Sequence, residues 1–174
     1  DFFNLVVENS AVVGYCGNVF PEELSIPDGV EAIADWAFDG CCELTSVVFP
    51  RSLRSIGSCA FRGCENLEAV EFDDGLEEIG DEAFAYDYAL TEIVIPASVK
   101  RIGTWAFGDD LALQKIVCMG DAPEVNGSPF GGISPEARLY VMKGSKGWNE
   151  LGSSELPYRW PVEEQSVRIS YFQA

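Results

Sequence analysis

The sequence predicts a solenoid, a stack of short right-handed coils that is mostly β-structure, with a parallel sheet and short turns or helical segments between the strands. Three observations predict it. Apolar residues recur every 23 residues in six columns that share one register. One segment of each repeat alternates apolar and outward positions, which is typical of a strand. Most repeats also carry an alanine–phenylalanine pair. One such unit cannot bury its apolar face alone, whereas stacked units share a continuous core.

The columns are clearest over four consecutive repeats. One column holds phenylalanine, each time preceded by alanine, and another holds isoleucine. The members are Phe38, Phe61, Phe84 and Phe107, and Ile33, Ile56, Ile79 and Ile102. Because equivalent positions of neighbouring coils lie side by side, we expect the phenylalanines to form an aromatic spine through the core.

Each repeat has a strand followed by a turn. In the segment from Leu44 to Phe49 apolar residues alternate with outward ones, and Pro50 then ends the ladder of hydrogen bonds. Leu53 and Ile56 lie three residues apart, which indicates a tight turn or a short second strand. A glycine follows at the same place in three repeats, where it permits a positive φ or a close backbone approach. These are Gly57, Gly80 and Gly103.

The repeat divides the chain, which we expect to be one domain over residues 1–174, into three parts. Residues 1–23 match it only at Tyr15 and are predicted to form an N-terminal cap with a hairpin through Glu8-Asn9-Ser10. Residues 24–142 are the stacked repeats, since Phe130 and Leu139-Tyr140-Val141 still keep the period. Residues 143–174 contain scattered glycine, proline and tryptophan, and are predicted to be a C-terminal cap or linker.

The charge is strongly negative. Asp and Glu total 29 against 11 Lys and Arg, which gives a net charge of −18. Such a chain repels phosphate backbones and anionic membranes, so we expect no nucleic-acid partner. No apolar run approaches the ~20 residues that a membrane span needs, so direct membrane insertion is not expected. The acidity serves either solubility or the recognition of a basic partner.

Catalytic, metal and cofactor sites have little support. The chain has no histidine, which removes the most common general base and metal ligand. Carboxylates are abundant, but a solenoid offers no obvious cleft in which two of them converge. Neither a zinc nor a calcium motif occurs. We therefore expect a protein that is not an enzyme and has no cofactor.

The six cysteines leave two alternatives open. They are Cys16, Cys41, Cys42, Cys59, Cys64 and Cys118. Cys41 and Cys64 occupy equivalent positions, and Cys118 takes an inward strand position, so they fit reduced thiols that pack as small apolar groups. A disulfide between Cys41 and Cys64 is the alternative, because stacked equivalents lie near bonding range.

The outward positions of the strands are the candidate protein-binding face. They flank the inward strand column in five successive repeats, and several are apolar. The ten positions are Glu23, Ser25, Ser46, Val48, Ala69, Glu71, Glu92, Val94, Lys115 and Val117. An apolar strip with acidic neighbours suits protein docking. The alternative is that the valines merely reflect β-propensity on a half-exposed strand.

The repeat resembles the BspA-like leucine-rich repeats. The resemblance rests on the segments Leu44-Thr-Ser-Val-Val-Phe-Pro50, Leu53-Arg-Ser-Ile-Gly57 and Ala60-Phe61-Arg-Gly-Cys64, and covers roughly residues 12–150. It implies a leucine-rich-repeat solenoid in a secreted or surface-exposed bacterial protein, often one that adheres to host or matrix proteins. Asp73 stands where other copies have proline, and Asp87 and Asp110 stand where Cys41 and Cys64 do.

Two functions follow as hypotheses. The first is a non-enzymatic extracellular protein-interaction module, an adhesin of a bacterial surface protein being one form of it. The second is a structural spacer that presents another domain. Neither the partner, a host or matrix protein under the first hypothesis, nor the oligomeric state follows from the sequence.

Overall fold

The structure, a computed structural model, describes residues 4–16, 19–148 and 163–165. Over these ranges the chain forms a β-solenoid of about six turns, with parallel sheets and no α-helix, so the predicted fold class is confirmed. The expected short helical segments are replaced by turns in the described part of the chain.

Two strands per repeat build the two sides of the solenoid. The short second strands are β4 (Ala32–Ile33), β6 (Ser55–Ile56), β8 (Glu78–Ile79), β10 (Arg101–Ile102) and β12 (Glu124–Val125). The first strands are β3 (Glu23–Ser25), β5 (Ser46–Val48), β7 (Ala69–Glu71), β9 (Glu92–Ile95) and β11 (Lys115–Cys118), followed by β13 (Arg138–Met142) and β14 (Glu163–Gln165). We call the outward side of the strands from β3 to β11 the strand face.

An antiparallel hairpin caps the N-terminal end of one side. It consists of β1 (Asn4–Glu8) and β2 (Ala11–Cys16), joined by Asn9 and Ser10, which both have positive φ. Two such residues are what a tight hairpin turn needs. Strand β2 then pairs with β4 in parallel, so the hairpin opens a seven-stranded sheet that ends at β12. The predicted hairpin is confirmed.

The core is the predicted aromatic spine. Phe38, Phe61, Phe84, Phe107 and Phe130 stack in order, and the distances between successive ring centroids lie between 4.9 and 5.5 Å. Tyr15 extends the stack at one end, with its ring 6.2 Å from Phe38 and nearly parallel to it. All five phenylalanines are at most 2% exposed. Every coil therefore buries the same large ring against its neighbours.

The column of glycines marks a close approach of backbones. A Cβ added at Gly80 would lie 2.6 Å from the backbone carbon of Gly57, and one at Gly103 would lie 2.5 Å from that of Gly80. None of these glycines has a positive φ. Of the two roles that the sequence allows, close packing is therefore the one that the structure requires.

The strand side continues beyond the repeats at its C-terminal end. Strand β13 pairs with β11 in the expected register, since Leu139 lies beside Ile116. Strand β14 then adds beside β13, again in parallel. Most of the predicted C-terminal cap or linker, residues 149–162 and 166–174, lies outside the described residues.

Candidate functional site

Nine of the ten candidate binding residues lie at accessible positions on the strand face. The valines differ in exposure: Val48 is 49% and Val94 is 37% exposed. Ser46 is half-buried, whereas the others are exposed, namely Glu23, Ser25, Ala69, Glu71, Glu92 and Lys115. The pleat explains this, because the residue between each outward pair, such as Val47 or Val70, points into the core.

Val117 is an exception, and its predicted exposure is wrong. It is only 6% exposed. In the ladder it lies between Val94 on β9 and Tyr140 on β13, and β14 adds one more strand beyond. Of these two neighbours, Tyr140 has the larger side chain, and the repeat pattern alone does not reveal that it lies beside Val117. Of the three candidate valines on the strand face, only Val48 and Val94 are therefore exposed.

A groove opens on the strand face where β5 and β7 end. Its volume is about 650 Å³. The lining residues are Val48, Phe49, Arg51, Glu71, Phe72, Asp73 and Asp74. Phe72 is half-buried although its counterparts Phe49 and Ile95 are buried, so an aromatic edge contributes to the apolar floor. The groove thus combines an apolar floor with an acidic rim.

Asp73, which replaces the repeat's proline, shapes the rim of this groove. One carboxylate oxygen, Oδ1, accepts a hydrogen bond of 2.9 Å from the backbone N–H of Asp74. The other, Oδ2, lies 3.3 Å from Nε of Arg51, a side chain that is 91% exposed. Arg54 ties the two turns together, because its Nη1 donates to the carbonyls of Arg51 at 3.0 Å and Gly75 at 3.1 Å. The acidic turn is therefore held in place by neighbouring coils.

The hydrogen-bond ladder of the strand side is interrupted next to the groove. Strands β3, β5 and β7 form one sheet, and β9, β11, β13 and β14 form another. The break falls between β7 and β9, directly beside the strand that carries Glu71. No such break occurs on the other side, where one sheet runs from β1 to β12. The groove thus lies beside the strand at which the described ladder of this side is interrupted.

The charges of the strand face are unevenly compensated. Glu92 pairs with Lys115, its ladder neighbour, at 2.6 Å between Oε1 and Nζ. Among the described residues, no cation pairs with Glu23, Glu71 or Asp74. The negative potential available to a partner is therefore concentrated around β3 and the β5–β7 groove.

The two most unusual carboxyl groups lie in the core and not in the groove. Asp87 and Asp110 are both 0% exposed. Asp87 accepts a hydrogen bond of 2.8 Å from the backbone N–H of Cys64, and Asp110 accepts one of 2.9 Å from that of Asp87. The second oxygen, Oδ2, of each has no hydrogen-bond partner in the described structure. Burial raises the pKa of Asp110 to about 8, and burial, followed by repulsion from Asp110, raises that of Asp87 well above its ordinary value.

This buried pair was visible in the sequence only as a departure from the cysteine column. Its carboxyl groups have no access to solvent, so they cannot reach a substrate.

Within the described ranges, no group of three or more histidine, cysteine or acidic residues is arranged to hold a metal ion. The same ranges contain no helix that is long and apolar enough to span a membrane.

The structure holds all six cysteines as free thiols. Cys41, Cys59, Cys64 and Cys118 are buried, while Cys16 and Cys42 are exposed. Burial raises the pKa of Cys41 to about 11, and it also raises the pKa of Cys64 and Cys118. Cys64 donates a hydrogen bond of 3.4 Å to the carbonyl of Phe38. The interpretation as packed, reduced thiols agrees with this arrangement, and the Cys41–Cys64 disulfide is not formed.

The most exposed of the described tryptophans lies away from the strand face and has a structural partner. Trp36 is 53% exposed and has a φ of 63°. The guanidinium of Arg62 lies 4.6 Å from its ring centroid, and Arg62 is held in turn by Asp39 at 2.9 Å and Glu82 at 3.5 Å. This cation–π contact occupies one face of the Trp36 ring.

Known proteins share the repeat and the fold. The BspA-type leucine-rich repeat region matches residues 15–134 in six copies. A leucine-rich repeat protein of T. pallidum is 31% identical, with a TM-score of 0.66 over 81% of this chain and 68% of its own. A leucine-rich cell surface protein of Faecalibacterium prausnitzii is 27% identical, with a TM-score of 0.67 over 83% of this chain and 38% of its own.

The pneumococcal vaccine antigen PcpA shows the same fold at 17% identity, with a TM-score of 0.60 over 91% of this chain and 45% of its own. No curated protein showed a significant match. The chain thus spans about two thirds of the treponemal protein and less than half of the other two. Leucine-rich-repeat solenoids are typically non-catalytic and generally mediate protein–protein interaction. Six matched copies over most of its length show that the chain belongs to the BspA-type leucine-rich repeat family.

Proposed function

We propose that the chain is a non-enzymatic interaction module of a bacterial surface or secreted protein, and that the groove on its strand face holds a cationic segment of a partner protein. An adhesive role, with a host or matrix protein as the partner, is the biological form that this proposal takes. The groove at the ends of β5 and β7 is the observation that carries it.

The chemistry of the groove favours a partner that is both apolar and basic. Val48 and the exposed edge of Phe72 supply an apolar floor, whose burial stabilises a complex. Glu71 and Asp74 supply negative charge that no described cation compensates. A lysine or arginine next to an aliphatic side chain satisfies both halves of this surface. The net charge of −18 would also speed the approach of such a partner.

The test separates the groove from the general acidity of the chain. The probe is a short synthetic peptide in which arginine alternates with leucine, titrated against the domain at low and at physiological salt. The test variant is Glu71→Lys/Asp74→Lys. The control is Glu43→Lys/Glu65→Lys, which changes the net charge equally at two exposed positions outside the groove. Melting temperatures check that both variants fold.

Binding at the groove predicts that the test variant weakens the affinity about tenfold or more, which is roughly 1.4 kcal/mol, while the control stays within about twofold of the wild type. Equal weakening by both variants would mean that only the overall charge attracts the peptide, and would contradict the proposal. Absence of binding would also contradict it and would favour the spacer hypothesis. If binding is found, purified matrix proteins are the next probe.

A further inference from the structure

Within the described residues, the N-terminal end of the strand side is uncovered. Strand β3 is the terminal strand of its sheet and pairs only with β5. At the opposite end β14 adds beside β13, and on the other side the β1–β2 hairpin precedes β4. Among the described residues, β3 is the only first strand whose outer edge faces neither a strand nor the next coil. Such an edge is a template for an additional strand.

The hydrogen bonds of β3 show which of its groups are free. The N–H of Ile26 donates to the carbonyl of Val48 at 3.0 Å, and the N–H of Ser46 donates to the carbonyl of Glu22 at 3.3 Å. Because direction alternates along a parallel ladder, the N–H and C=O groups of Glu23 and Ser25 point away from β5. Both residues are exposed. The free edge therefore offers two donors and two acceptors in strand geometry.

An apolar cleft lies beside this edge. Its volume is about 440 Å³, and it is lined by Leu5, Val7, Pro21, Glu23, Leu24, Ser25 and Pro27. Leu5 and Val7 alternate along β1, so both can face the cleft, and Val7 is 46% exposed. A strand added to β3 places every second side chain on the cleft side. Aliphatic residues at those positions would bury surface that is now in contact with water.

The charge around the edge decides between a second copy of the chain and a different partner. Glu8, Glu22 and Glu23 are exposed, and none of them forms an ion pair within the described structure. Two copies that met at β3 would bring these carboxylates together, each chain with a net charge of −18. A segment with lysine or arginine at its outward positions would instead meet compensating charge.

We propose that β3 binds an extended segment of a partner protein, in which aliphatic residues alternate with lysine or arginine, as an additional strand of the sheet. Main-chain hydrogen bonds to Glu23 and Ser25 supply the pairing, and the cleft beside β1 selects the aliphatic side chains. This site goes beyond the proposed groove function and uses different residues.

Ser25→Pro tests the pairing directly. Proline removes the N–H that points to the free edge but leaves the β3–β5 ladder intact, and edge strands tolerate proline in this orientation. Ser25→Ala is the matched control, since it keeps the N–H. Val7→Glu is a second variant, at an exposed position, that places a charge in the cleft. The probe is a short peptide of alternating lysine and valine, and the readouts are affinity and amide hydrogen exchange measured by NMR.

We expect the peptide to slow exchange at the amides of Glu23 and Ser25. We expect Ser25→Pro and Val7→Glu each to weaken binding at this edge, measured at the amide of Glu23, at least about tenfold. Ser25→Ala should bind as the wild type does, and the groove variant Glu71→Lys/Asp74→Lys should keep the slowed exchange at Glu23 and Ser25, because those amides report on the β3 edge alone. Unchanged affinity of Ser25→Pro, or protection only at groove residues, would overturn the proposal, as would absence of binding. A concentration-dependent dimer of the free chain that Ser25→Pro abolishes would show that a second copy is the occupant, and would overturn the assignment.

Discussion

Replacing Asp110 by asparagine should make the domain more stable at neutral and alkaline pH. Asparagine keeps the oxygen that accepts the backbone N–H of Asp87 and removes the carboxyl group that has to ionise in the core. The backbone N–H groups of Asp87 and Tyr86 favour the charged form of Asp110 only in part, because the acidic Asp109 opposes it and no cation pairs with Asp110 in the described structure. In other coils the same column holds Cys64 or Cys41, which need no charge.

The magnitude follows from the pKa of Asp110. Burial raises that pKa from 3.8 in the unfolded chain to about 8 in the folded one. A raised pKa means that the folded state holds its proton more tightly, so the stability from this group is fully present below about pH 4 and is lost as the pH rises through 8. A shift of roughly four units, at about 1.4 kcal/mol each, corresponds to a loss on the order of 5 kcal/mol.

The assay is urea unfolding of the wild type and Asp110→Asn from acid to mildly alkaline pH. Near pH 4 the two should unfold with similar free energies, and above pH 8 the variant should be more stable by several kcal/mol. Glu65→Gln removes an exposed charge and controls for the repulsion among the many carboxylates of the chain. If the stability difference between Asp110→Asn and the wild type is the same at pH 4 and pH 8.5, the buried carboxyl does not ionise between these pH values and the prediction is wrong.

Three further predictions concern the repeat columns. Phe84→Ala should lower the free energy of unfolding in urea by about 3–5 kcal/mol, because the ring is fully buried between Phe61 and Phe107. A variant as stable as the wild type would contradict the packed spine. Gly80→Ala should cost about 1–3 kcal/mol or more by the same measurement, because its Cβ would meet the backbone of Gly57 and Ser58, and an unchanged stability would mean that the coils separate freely. A thiol reagent should modify Cys16 and Cys42 in the native protein but Cys64 and Cys118 only after unfolding, as mass spectrometry of labelled peptides would show; early labelling of Cys64 would indicate an open core.

The inward half of the structure could be predicted because every coil repeats the same packing problem. Phenylalanines at a fixed period bury their rings by stacking through the core. Tyr15 continues this stack even where the rest of the repeat is absent. The turn at Asn9 and Ser10 could be predicted because local geometry decides it. The glycine column left two roles open, and only the distances between backbones distinguish them.

The outward half depends on neighbours that the repeat pattern does not specify. Val94 and Val117 are equivalent by sequence, yet one is 37% and the other 6% exposed, because Tyr140 flanks only the second in the ladder. The groove likewise includes one departure from the repeat, Asp73, and lies beside a break in the ladder between β7 and β9. A break in hydrogen bonding has no sequence signature of its own.

The distribution of charge narrows the binding surface further than exposure does. The first outward residues of β9 and β11 are Glu92 and Lys115, and Oε1 of Glu92 lies 2.6 Å from Nζ of Lys115. Because the lysine neutralises this carboxylate, Glu92 attracts an approaching cation only weakly. The second outward residues of β5, β7 and β9 are Val48, Glu71 and Val94, so Glu71 lies between two exposed valines. No described cation pairs with it. Physiological salt screens charges beyond about 8 Å, so the net charge of the whole chain accelerates encounter but cannot decide where a cation rests. The position of a bound cation is instead decided by the carboxylates that no described cation neutralises. On the strand face these carboxylates lie at the β5–β7 groove and at the β3 edge.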